Sequence, residues 1–85
     1  MVNHKHEEIV KLGVDAINKW HGENPTSRLD LECSNLSGID LSNADLSNAF
    51  LNNAVFKEAK MANAKLIGVN CWNEIFLILI YQMLI

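Results

Sequence analysis

The chain has 85 residues, enough for one small domain and no more. Hydrophobic residues make up 49%, so it can fold, and a net charge of −3 supplies no basic footprint for nucleic acid. The polar start MVNHKHEE is no secretory leader, and with only Cys33 and Cys71 as thiols the expectation is a reducing, cytoplasmic setting.

Residues 1–28 divide into a capping helix and a linker. Ile9, Leu12, Gly13, Ala16, Ile17 and Trp20 recur at three- and four-residue spacing, which predicts one amphipathic helix over residues 6–20. Glu7 and Glu8 in its first turn and Lys19 in its last suit the helix dipole. Gly22 is the expected stop, and Pro25 bars continuation. The apolar face is expected to cover an exposed end of whatever follows, near Leu29, Leu31 and Leu36.

Residues 29–70 carry a strict period of five. In blocks from Leu29 they read LDLEC, SNLSG, IDLSN, ADLSN, AFLNN, AVFKE, AKMAN and AKLIG, before a decaying VNCWN. The third position holds Leu31, Leu36, Leu41, Leu46, Leu51, Phe56, Met61 and Leu66. The first position is small or apolar, with Ala44, Ala49, Ala54, Ala59 and Ala64 in succession. Five fits neither regular element. A helix turns ~500° in five residues, which scatters the apolar stripe, and a strand sends an odd period to alternate faces. The pattern closes when each block is one side of a coil that bends about 90° between blocks. Four sides make a turn, so residues twenty apart stack at about 4.8 Å. First and third positions then form the core, with Leu41 under Met61 and Leu46 under Leu66. Asp40 falls under Lys60 and Asp45 under Lys65, opposite charges on neighbouring rungs.

The blocks ADLSN and IDLSN, and more loosely AFLNN, AKMAN and AKLIG, resemble the pentapeptide-repeat family, whose pattern is A-(D/N)-L-x-x. The resemblance implies an all-β solenoid, a right-handed quadrilateral β-helix of about two coils with a helical cap. The segment VDAINKWHGENP is similar to the helical lead-in of such repeats in some bacterial, especially cyanobacterial, proteins.

Past Gly68 the repeat fails. Residues 71–85 form an apolar tail in which 75–85 is an apolar run of eleven residues, shorter than the ~17–25 residues that span a bilayer. It is expected to cap the C-terminal coil, the alternatives being a truncation scar of a longer array or a membrane contact.

No catalytic, cofactor or metal site is expected. His4 and His6 form an H-x-H without the further ligands a metal needs, and His21 stands apart, so all three read as polar surface. Asp30, Asp40 and Asp45 point outward into water, where nothing builds a pocket. Phe50 and Val55 occupy second positions, while Ile67 and Trp72 occupy fourth positions. Phe50 and Trp72 share a wall that is expected to receive the tail or a partner. The functional expectation is a non-enzymatic scaffold or protein-interaction module, with a homodimer through the tail as one mode of assembly. The runner-up follows from the resemblance: some family members mimic DNA and bind type II topoisomerases. Five acids against three lysines over residues 29–70 leave only −2, a thin charge for that role.

Overall fold

A computed structural model of the chain describes residues 2–71. Trp72 and the expected cap at residues 75–85 lie outside the described residues.

Two helices, not one, precede the coil. Helix α1 spans His4–Lys11, and Asn3 caps it by accepting the His6 N–H on its side-chain oxygen at 3.1 Å. Helix α2 spans Val14–Glu23. The interruption is Gly13, at φ +108° and ψ −174°, a conformation that glycine adopts without a Cβ penalty. Its N–H closes α1 on Val10 O, and its carbonyl opens α2 by accepting the Ile17 N–H. The bend changes which side chains face inward. Leu12 is turned out, 78% exposed, while Val10 and Ile17 are buried. Gly22 does not stop α2, which runs on to Glu23. Asn24 ends it instead, donating both its N–H and its Nδ2–H to Trp20 O at 2.9 and 3.0 Å.

From Leu29 the chain coils with a twenty-residue turn. Parallel bridges join Asp30 to Phe50, Asn35 to Val55, Asp40 to Lys60, Asp45 to Lys65 and Phe50 to Asn70. Every bridge falls on a second position. Two backbone rules generate the ladder. Third- and fifth-position N–H groups donate to carbonyls nineteen residues on, as Leu31 does to Phe50 O and Asn43 to Ala62 O, at 2.7–3.0 Å. Second-position N–H groups donate to carbonyls twenty-one residues back, as Lys60 does to Ile39 O. No extended strand forms among the described residues, because turns consume two residues in each five. The rungs are single bridges.

The corners explain the spacing. The first-position N–H closes a turn on the preceding third-position carbonyl, as in Ala44 to Leu41 O at 3.0 Å. The fifth residue of all eight blocks has positive φ: Cys33, Gly38, Asn43, Asn48, Asn53, Glu58, Asn63 and Gly68, between 61° and 72°. A left-handed residue at the third place of a four-residue turn is the type II pattern, which favours Gly and Asn. Six of the eight are one or the other.

The core is the stack of first- and third-position side chains. Leu31, Leu36, Leu41, Ala44, Leu46, Ala49, Leu51 and Met61 are fully buried; Ala54, Phe56, Ala59 and Ala64 nearly so. Burying a leucine or methionine in this way contributes about 1.5–3 kcal/mol. Leu66 is only half-buried, at the last side of the second turn. Val10 and Ile17 join the same cluster from the helices.

Candidate functional site

The first turn of a coil leaves main-chain groups with no rung beneath them. Here the helices supply substitutes. The Asp30 N–H donates to His6 Nδ1 at 2.8 Å, and the Asn35 N–H donates to Glu7 Oε2 at 3.1 Å. His21 Nε2 lies 2.8 Å from Asp45 O, an acceptor only, so Nε2 carries the proton and donates. The His6 and Trp20 rings meet edge-on at 5.1 Å, and Trp20 meets His21 likewise at 5.3 Å. His6 and His21 are therefore not free surface groups; they stand in for a missing rung. His4 remains exposed, 3.7 Å from Glu7, which also lies 3.8 Å from Lys11. Sequence pattern alone missed these roles, since partners 24 and 28 residues away leave no local spacing.

The four acidic or amide side chains at second positions of the first turn do a local job. Asp30, Asn35, Asp40 and Asp45 each accept the N–H two residues on, at 3.0–3.2 Å, fixing the corner that follows. The N–H of Ser42, helped by its hydroxyl and by the charge of Lys60, holds the Asp40 carboxyl below its ordinary 3.8. At Asp45 burial pushes upward, but Ser47, His21 and Lys65 together bring the carboxyl below 3.8. Neither aspartate closes to an ion pair with the lysine above it among the described residues. Bridging stacks the main chain, and the lysines extend into water.

Phe50 is half-buried because Arg28 lies over it, with the guanidinium carbon 4.1 Å from the ring centroid. The same arginine donates to two corner carbonyls, Asn48 O at 2.5 Å and Gly68 O at 3.4 Å. Residues 28, 48 and 68 are one fifth-position column, so a single side chain bridges three levels of one corner. At Gly68 a Cβ would press on Asn48 Oδ1, whose side chain would have to turn aside. Beside Gly68, Ile67 is 76% exposed. Arg28, Phe50 and Ile67 thus form a mixed cationic, aromatic and aliphatic patch on one edge of the coil. Whether Trp72 extends it lies outside the described residues.

Cys33 is exposed and Cys71 half-buried, and both are free thiols. Burial pushes the Cys71 thiol above its ordinary 9.0. Ser34, at a first position, is fully buried and its Oγ has no hydrogen-bond partner. Among the described residues no group of three or more His, Cys, Asp or Glu side chains is placed to hold a metal. No helix among them is long and apolar enough to cross a membrane.

The repeat architecture has a counterpart among known families. The model of the family described as pentapeptide repeats (8 copies) matches residues 34–70. Residues 34–70 are thus a run of pentapeptide repeats. No curated protein and no solved structure matches the chain in the corresponding comparisons. The coil begins one block before the family match, since Asp30 already bridges Phe50 and Cys33 already holds the left-handed corner.

Proposed function

We propose that this chain is a non-enzymatic scaffold or protein-binding module whose coil is a right-handed quadrilateral β-helix. The observation that carries the reading is the division of the repeat. First and third positions are consumed by the core, while the outward positions form columns held at fixed spacing by the rungs. Such a surface suits recognition of another protein. The edge bearing Arg28, Phe50 and Ile67 is the docking site in this reading, because arginine and aromatic anchors dominate protein interfaces.

DNA mimicry is disfavoured by the second turn, where Lys60 and Lys65 stand directly over Asp40 and Asp45. Each acidic column is therefore interrupted at its next level. The test is cross-linked capture with the wild-type chain and with Ile67→Asp, both checked for unchanged circular dichroism. A protein captured by the wild type and lost with Ile67→Asp supports the reading. Equal capture by both forms refutes the docking edge. A topoisomerase supercoiling assay covers the runner-up, and inhibition at low molar excess would replace this reading with it.

A further inference from the structure

Charge divides the described residues along the coil axis. Residues 2–48, which hold the helices and the first turn, carry eight acids against four bases, a net of −4 with the histidines neutral. Residues 49–71 carry Lys57, Lys60 and Lys65 against Glu58, a net of +2. The fourth side of the coil repeats this division on one wall. Its lower rung turns Asp45 and Ser47 outward; its upper rung, bridged to the lower one through residues 45 and 65, turns out Lys65 and Ile67. Asp45 is half-buried, Lys65 is exposed and Ile67 is 76% exposed. Among the described residues Lys65 makes no ion pair, so its charge faces water.

A wall with its acid on one rung and its base on the next complements itself under one operation. That operation is a half-turn about an axis lying in the wall, parallel to the rungs and midway between them. It exchanges the two levels and keeps each position along the rung. A second copy then sets its Asp45 against Lys65 and its Lys65 against Asp45, the reciprocal contacts of a two-fold interface. Ile67 faces Ser47 of the second copy. With rungs only about 4.8 Å apart, it also reaches the second copy's Ile67 across the axis. The two coils run antiparallel, so the −4 part of each lies beside the +2 part of the other. A parallel pairing of the same walls sets Lys65 against Ile67 and puts like-charged parts together. The third side has the same charges in Asp40 and Lys60, but Ser42 and Ala62 give it no large apolar side chain.

We infer that the occupant of the docking edge is a second copy of this chain, seated fourth side to fourth side and antiparallel about that axis. The inference rests on the docking edge proposed above and names its partner. Charge complementarity selects a second copy, because the wall carries its own complement in register. The two Ile67 side chains supply the apolar centre, and two Lys65–Asp45 contacts flank it. Two rungs make a small face, so the association is weak and reversible, and salt screens its charged part.

Sedimentation equilibrium of the full chain, in reductant and at low salt, tests it. The wild type should show a monomer–dimer equilibrium that weakens as salt is raised. Ile67→Asp and Ile67→Lys change an exposed side chain and should keep the wild-type circular dichroism. Each should weaken self-association at least about tenfold, because like charges then meet at the axis. An equimolar mixture of the two variants should recover the dimer, since the introduced charges meet as opposites only where residue 67 faces its own copy. Lys65→Asp should weaken association likewise, and Val55→Asp, on another wall, should leave it unchanged. A wild type that stays monomeric at millimolar concentration, a loss with Val55→Asp equal to that with Ile67→Asp, or a mixture that fails to pair overturns the inference. If a different protein is captured through Ile67 while the wild type stays monomeric, the docking edge stands and this inference alone falls.

Discussion

Glu58 offers the sharpest test of the corner geometry. It is exposed, it sits at φ +61°, and it occupies a place where most blocks have Asn or Gly. A left-handed conformation costs an ordinary L-residue about 1–2 kcal/mol. Glycine removes that cost but loses about 0.5–1 kcal/mol more backbone entropy on folding than alanine does. Glu58→Gly should therefore stabilise the coil by a net of about 0.5–1 kcal/mol. In a domain of this size 1 kcal/mol moves the melting temperature by about 4–8 °C, so the expected rise is roughly 2–8 °C. Thermal denaturation followed by circular dichroism reads it directly. Lys57→Gly, one residue earlier and without positive φ, is the control and should lower the melting temperature. Cys33→Gly, on another corner and another turn, should add its own similar gain to that of Glu58→Gly. If Glu58→Gly and Lys57→Gly shift the transition equally, the left-handed corner is not what the fifth position is selected for.

Other substitutions probe the core and its edges. Leu41→Asp places an unpaired carboxylate at a fully buried site and should abolish cooperative melting. Ser34→Ala removes a buried hydroxyl without a partner and should stabilise by about 1 kcal/mol, measured by urea denaturation; a loss would show that the hydroxyl is satisfied. Asp40 and Asp45 have carboxyls depressed on folding. Their contribution is complete above the unfolded value of 3.8 and is lost as pH falls through the folded values. A melting series from pH 7 to pH 2 should fall less steeply below about pH 4 for Asp45→Asn than for the wild type.

What could be read before the structure follows the length scale of each cause. Leu31 through Leu66 advertise the coil because each repeats a constraint imposed by its own rung, and the asparagines at 43, 48, 53 and 63 repeat a local dihedral. The helix break did not show, because Gly13 fits an apolar helical face as a small residue and only its φ reveals the bend. Gly22 misled in the opposite direction, since Asn24 supplied a better stop two residues later. His6, Glu7 and His21 were unreadable for a different reason. Each has one partner, far away in sequence, and a single long-range hydrogen bond has no period.

The same contrast bears on function. A repeat array displays two kinds of surface, and they differ in what they can recognise. Ends expose main-chain donors and acceptors that pair with any extended chain, so they invite unselective association. Walls expose only side chains, which recognise by identity. In this molecule side chains from α1 and α2 occupy three of the main-chain groups at the N-terminal end. Arg28 engages two corner carbonyls on the edge that also carries the exposed Ile67. In the proposed reading, the aliphatic side chain left in water beside an arginine and a phenylalanine is where the wall makes contact. An Arg28→Ala variant, which frees Phe50 and two carbonyls without touching the core, separates the two effects. It should lower stability only modestly, yet remove most of the capture that Ile67→Asp removes.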